Sequence, residues 1–142
     1  MKISARNVLK GTISAVQPGV VNAEVTIALN DGDSLVAIVT QESLKSLELA
    51  PGKAVVALVK APWVMLMTDS SGYRLSARNC LPGTVKSVEP GAVNAEVVLS
   101  LPGGAEIYSI VTKEAVAELG LKPGAAATAV IKSSHVILGV PA

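Results

Sequence analysis

The chain spells one stretch twice. Residues 4–25 read SARNVLKGTISAVQPGVVNAEV and residues 76–97 read SARNCLPGTVKSVEPGAVNAEV, so the second copy is the first moved along by 72 positions without a gap. Ser4, Arg6, Gly11, Pro18, Gly19, Asn22 and Glu24 recur as Ser76, Arg78, Gly83, Pro90, Gly91, Asn94 and Glu96. The same offset carries Thr40 onto Thr112, Pro51-Gly52 onto Pro123-Gly124, Lys60 onto Lys132, and Val64 and Leu66 onto Val136 and Leu138; about 30 of about 70 aligned positions are identical. A repeat of this kind decides what the folding unit is. The sequence therefore divides into one domain over residues 1–68, a short linker over 69–72 (Asp69-Ser70-Ser71-Gly72), and a second domain over 73–142. Units of about 70 residues are near the lower limit for a self-sufficient core, so the two have reason to lean on each other.

Half of the residues are hydrophobic, only 2% are aromatic, and there is no Phe. The apolar content is thus Val, Ala, Leu and Ile, which suits strands packed on strands. A formal charge of +1 provides no global field for nucleic acid or an anionic membrane. Any anion would have to be held by a local arrangement of donors. Sparse charge also leaves surface suited to burial against other subunits, which predicts an oligomer. The single cysteine, Cys80, aligns with Val8 and is expected to be a small buried apolar residue. No signal-like apolar segment opens the sequence, and the longest apolar run, residues 54–59, is far too short to cross a bilayer. A soluble, cytoplasmic protein is expected.

Within one repeat, residues 3–16 read as a long extended segment interrupted by Gly11, where a bulge or bend would let one strand serve two sides of a small barrel. Pro18-Gly19 turns the chain. Residues 20–29 alternate, with Val21, Ala23, Val25, Ile27 and Leu29 on one face, and residues 34–39 return as a hairpin partner. Thr40 and Thr112 stand where a helix N-cap is wanted, with Glu42 and Glu114 in the first turn. Strands over 53–60 and 63–67 complete the unit. Three strands, a short helix and two strands is the element order of an OB-type Greek-key barrel. The fold class is all-β with one short helix per repeat: two tandem OB-type five-stranded barrels.

The pattern SARN-x-L-x-G followed by GxVNAEV, a helix and a late lysine resembles the molybdate-binding Mop domain, a member of the transport-associated OB (TOBE) group. Two such domains in tandem resemble the tandem-domain molbindins. The resemblance spans essentially the whole chain. It implies a cytoplasmic protein that binds molybdate, and usually tungstate, at contacts between domains. It also implies an assembly of six domains, a trimer when each chain carries two.

The chemistry of the residues can be set against that implication. Molybdate is a tetrahedral dianion with four acceptor oxygens and no donors, so its site must present donors on all sides and some compensating charge. The first group of candidates is Ser4, Ala5, Arg6 and Asn7 with Lys60 and Ala61, repeated as Ser76, Ala77, Arg78 and Asn79 with Lys132 and Ser133. In an extended segment Ser4 and Arg6 share a face and Asn7 points to the other, which ranks Asn7 below them as a direct ligand. Ser133 adds a hydroxyl that Ala61 lacks, so the repeats can differ in affinity. The second, weaker group is Gly19, Val20, Val21 and Asn22 with Gly91, Ala92, Val93 and Asn94, where a Pro-Gly turn can expose successive N–H groups to an anion. Glu24 and Glu96 would repel an oxyanion and read as partners for Arg or Lys.

His135 aligns with Trp63, which argues against a metal ligand, and there is no Cys or His cluster for a metal cation. No nucleophile with a paired base and no Walker-type phosphate loop appears, so no enzymatic activity and no cofactor are expected. An OB-fold nucleic-acid binder is the rival reading. It would stack bases on aromatic side chains along a basic groove, but Trp63, Tyr73 and Tyr108 are the only aromatics here. A third reading, an oxyanion-sensing accessory of a transporter or regulator, is weakened because the sequence contains neither a helix-turn-helix nor an ATPase segment. Storage or buffering of the oxyanion is the simplest remaining role.

Overall fold

A computed structural model describes the chain from Met1 to Ala142. In the first repeat it contains β1 (Asn7–Pro18), β2 (Asn22–Leu29), β3 (Ser34–Thr40), α1 (Gln41–Ser46), β4 (Ala54–Val59) and β5 (Met65–Met67). The second repeat contains β6 (Asn79–Pro90), β7 (Asn94–Ser100), β8 (Glu106–Thr112), α2 (Lys113–Leu119), β9 (Ala126–Ile131) and β10 (Ile137–Gly139). Short 3-10 turns, Ala61–Trp63 and Ser133–His135, precede β5 and β10.

β1 does serve two sides, pairing with β4 through Asn7–Thr12 and with β2 through Gly11–Pro18. The irregularity lies elsewhere than expected: the register shifts between Ile13 and Ala15, not at Gly11. Gly11 is needed because a Cβ there would lie 2.5 Å from the Ala28 carbonyl oxygen, where β2 crosses. The strand also begins later than the sequence suggests, so residues 3–6 lie outside the ladder. Val21 likewise precedes β2 and is exposed, whereas Ala23, Val25, Ile27 and Leu29 form the buried face.

Both helices start on their threonines. Thr40 Oγ1 accepts from the Ser43 N–H at 3.1 Å and Thr112 Oγ1 from the Ala115 N–H at 3.0 Å. α2 ends on Gly120 at φ 63°, while Glu48 holds the same left-handed conformation in the first repeat at φ 52°. The buried role expected of Cys80 is not observed. It is exposed because β6 alternates and the preceding residue, Asn79, takes the inward place.

The five-stranded units are present, but each borrows its last strand. The sheets run β10-β4-β1-β2-β3 and β5-β9-β6-β7-β8, so β5 of the first repeat completes the second sheet and β10 completes the first. Leu66 pairs with Ala129 and Leu138 with Ala57. The exchange merges two small interiors into one cluster of 24 buried residues that includes Val64, Leu66, Val136 and Leu138. That continuity is the physical answer to the small size of each unit, since a larger shared core buries a greater fraction of its apolar surface. Trp63 and His135, equivalent positions of the two repeats, meet with ring centroids 4.8 Å apart.

Candidate functional site

The segments before β1 and β6 are anchored by buried asparagines. Asn7 Nδ2 donates to the Val59 carbonyl at 3.2 Å and the Tyr108 carbonyl at 2.8 Å, while its Oδ1 accepts from the Tyr108 N–H at 2.7 Å. Asn79 does the same to Val36, with Nδ2 to the carbonyl and the N–H to Oδ1 both at 2.8 Å. Each amide thus acts as one more peptide unit on the open edge of the other repeat's third strand. These bonds occupy both donors of Asn7 and its Oδ1. The Asn7 and Asn79 side chains belong to this clasp.

The ladder registers then place the cations. Asn7 pairs with Val59 and Asn79 with Ile131, so one step further Arg6 comes beside Lys60 and Arg78 beside Lys132. In the second repeat this forms one wall of a cleft of about 580 Å³, lined by Ser76, Ala77, Arg78, Lys132 and Ser133. Glu24, Ile38 and Met65 of the first repeat form the opposite side. Five of the six expected first-type residues of this repeat therefore meet, and Asn79 does not line the cleft. The N–H groups of Ala77 and Arg78 make no hydrogen bond within the chain. Ser133 is buried and Lys132 exposed.

Both arginines cross to the other repeat. Arg6 Nε and Nη2 donate to the two carboxylate oxygens of Glu96, each at 3.0 Å, and its guanidinium lies 4.6 Å over the Tyr108 ring. Hydrogen bonding to Glu96, reinforced by its charge, raises the Arg6 pKa above the usual value. Arg78 makes a single contact, Nη1 to Glu24 Oε2 at 2.6 Å. The expectation that the glutamates partner arginines is met. With side chains about half exposed, such pairs contribute little to stability and act mainly to orient the cations. Lys60 Nζ lies 5.4 Å from the Trp63 ring.

The second-type turn is arranged differently from a row of free N–H groups. The Gly19 N–H is closed onto the Asn22 carbonyl at 2.8 Å and the Gly91 N–H onto Asn94 at 2.7 Å. The N–H groups of Val20 and Val21, and of Ala92 and Val93, remain without a partner in the chain. Gly19 and Asn22 line a second cleft that shares Glu24, Ile38 and Arg78 with the first. Arg78 therefore stands between a first-type and a second-type candidate group.

Ile38 and Met65 are not among the residues that the sequence offers as ligands, and Tyr108 enters there only as an aromatic. Positions 36 and 108 are a Val and a Tyr within a stretch, residues 33–37 against 105–109, where the repeats differ at every position, so the divergence at Tyr108 does not stand out in the sequence.

The structure thus presents two OB-type barrels that exchange strands, with a cleft between the repeats where Ser76, Arg78, Lys132 and Ser133 gather. The chain belongs to the TOBE-domain family, whose domain matches it twice, at residues 3–66 and 75–138. It is 45% identical over 141 residues to the molybdenum-pterin-binding protein MopA of Rhodobacter capsulatus, covering 99% of this chain and 53% of that protein. It is 46% identical over 140 residues to the molybdenum transport protein ModE of Azotobacter vinelandii, covering 99% and 52%. The chain thus spans about half the length of these curated relatives. It is also similar to the crystal structure of the cytoplasmic molybdate-binding protein ModG with molybdate bound, at 74% identity and a TM-score of 0.95 over 99% of this chain and 100% of that one.

Proposed function

We propose that this chain binds molybdate and tungstate and serves to store and buffer them in the cytoplasm. The observation that carries the reading is the cleft where Ser76, Arg78, Lys132 and Ser133 meet. These groups are donors or cations, as an oxyanion without donors of its own requires. The first-type ligands come from Ser4, Ala5, Arg6, Lys60 and Ala61 and from Ser76, Ala77, Arg78, Lys132 and Ser133. Asn7 and Asn79 contribute by fixing the segment. The second type uses the Val20–Val21 and Ala92–Val93 amides beside Asn22 and Asn94.

The names and the molybdate-bound structure of the relatives support the same ligand. Val20 at 98% exposure, Val21 at 70% and Val93 at 71% support burial of these turns against further copies, in a trimer of six domains. No helix is long and apolar enough to cross a membrane, in keeping with the proposed location. The relatives are binding proteins or regulators, which supports a role without catalysis.

Titration calorimetry with sodium molybdate, together with elemental analysis of protein from molybdate-fed cells, tests the reading. Saturable heat and bound molybdenum are expected. A flat isotherm and metal-free protein would end it.

A second reading, a sensing module for a regulator, is favoured by the match to about half of ModE. Sequence-specific DNA binding by the protein, altered by molybdate, would select it over storage.

A further inference from the structure

We propose that the two first-type groups of a chain are unequal as anion sites, and that Tyr108 makes them so by holding Arg6 away from its anion. The inference rests on the oxyanion reading and extends it to the separate repeats.

The backbone frame is the same on both sides. Asn7 clasps the Tyr108 peptide and Asn79 clasps the Val36 peptide, so Arg6 emerges beside position 108 and Arg78 beside position 36. The side chains there differ. Arg6 is held along one edge by two bonds to Glu96 and on one face by the Tyr108 ring. A planar guanidinium fixed on edge and face has little freedom to turn towards a new acceptor. Arg78 has Val36 at the position equivalent to Tyr108, without an aromatic face, and makes one bond, from Nη1. Its Nε and Nη2 donate to no protein group, and the side chain lines the cleft it would serve. Ser133, a buried residue in the same cleft, adds a hydroxyl where the first repeat has Ala61. The Arg78 site is therefore the tighter one, and Tyr108 is a positioning residue that weakens the Arg6 site.

Exchanging the two side chains is compatible with the fold, because a Val and a Tyr already occupy equivalent clasped positions. The first arm of the test needs no ligand. In the full chain, the Arg6 Nε–H signal in nitrogen-15 NMR should exchange with water more slowly than that of Arg78. Tyr108→Val should remove most of that difference, and circular dichroism would confirm that the fold is retained.

The second arm is calorimetry with sodium molybdate. Arg78→Ala should weaken the tight class about tenfold or more, the worth of a charge-assisted bond, while Arg6→Ala should leave it within about twofold. In a Tyr108→Val background Arg6→Ala should cost its own class about tenfold. Val36→Tyr should weaken the tight class. Equal effects of the two arginine substitutions, unchanged by Tyr108→Val, would overturn the inference while leaving oxyanion binding intact. A protein that binds no molybdate at all would remove the underlying reading and the inference together.

Discussion

The Asn7 side-chain amide lies edge to edge with the Tyr108 peptide, donating to its carbonyl at 2.8 Å and accepting from its N–H at 2.7 Å. It also donates to the Val59 carbonyl, and the residue is only 1% exposed. Asn7→Ala strands three backbone groups, and each unsatisfied buried group costs about 1–3 kcal/mol. A loss of about 2–4 kcal/mol is expected after partial access of water. Asn7→Asp is the sharper test, since a carboxylate keeps the acceptor but turns a negative charge onto two carbonyls. Urea denaturation should rank wild type above Asn7→Ala and Asn7→Asp at neutral pH; a loss below about 0.5 kcal/mol for both would show that the clasp is dispensable.

The barrel of the second repeat is closed by a second buried bond, from Ser109 Oγ to the Val64 carbonyl at 2.6 Å. Position 37 of the first repeat is Ala, so a barrel of this kind persists without the hydroxyl. Ser109→Ala should therefore cost only about 1 kcal/mol, one net hydrogen bond. A much larger loss, read from the shift in denaturation midpoint, would mean that the two barrels close by different means.

Helix ends offer a stabilising change. Gly120 and Glu48 adopt the same left-handed conformation, at φ 63° and 52°, and only glycine does so without a Cβ penalty. Glu48→Gly should stabilise the chain by about 0.5–1 kcal/mol after allowing for the greater freedom of glycine in the unfolded state. A lower midpoint for the variant would show that the Glu48 side chain has a compensating partner.

Much of this architecture was legible because duplication placed each signal on the page twice. The threonine caps, the alternation of β2 and the Arg–Glu complementarity are local or pairwise patterns, and they survive translation into structure. The exchange of β5 and β10 was not legible. Val64-Met65-Leu66 has the same strand pattern whether it returns to its own sheet or enters its neighbour's, so periodicity is blind to which edge it joins. The Asn7 clasp was half legible. Alternation puts its side chain opposite Arg6, but nothing in the sequence says that a peptide edge from residue 108 waits there. Cys80 was misread because a small apolar type was taken for an inward position, although its neighbour Asn79 claims that face.

Strand exchange has a direct consequence for the isolated half. A fragment of residues 1–70 contains β1–β5 but lacks β10, the strand that completes its sheet. A second copy can supply the missing strand reciprocally, as the second repeat does in the intact chain. Light scattering should give twice the fragment mass at the lowest concentration at which circular dichroism still shows folded protein. A folded monomer would mean that β5 can return to its own sheet.

The last prediction concerns the anion. A buried dianion is costly to desolvate and can be held only where donors converge. In the cleft of Ser76, Arg78, Lys132 and Ser133 those donors face Glu24, Ile38 and Met65 of the other repeat, so a bound anion would tie the repeats together. Binding to the folded chain alone must raise its melting temperature. Hydrogen phosphate turns one of its four acceptor oxygens into a donor, which suits a wall of donors and cations less well than a fully deprotonated tetrahedral dianion. Sulfate has the right charge and no proton, but its shorter bonds leave some donors out of reach. Thermal shifts at equal concentration and ionic strength should therefore be largest for molybdate and tungstate, well above sulfate, with phosphate at or below sulfate. Equal shifts for all four anions would reduce the effect to general charge screening, and selective oxyanion binding would have to be abandoned.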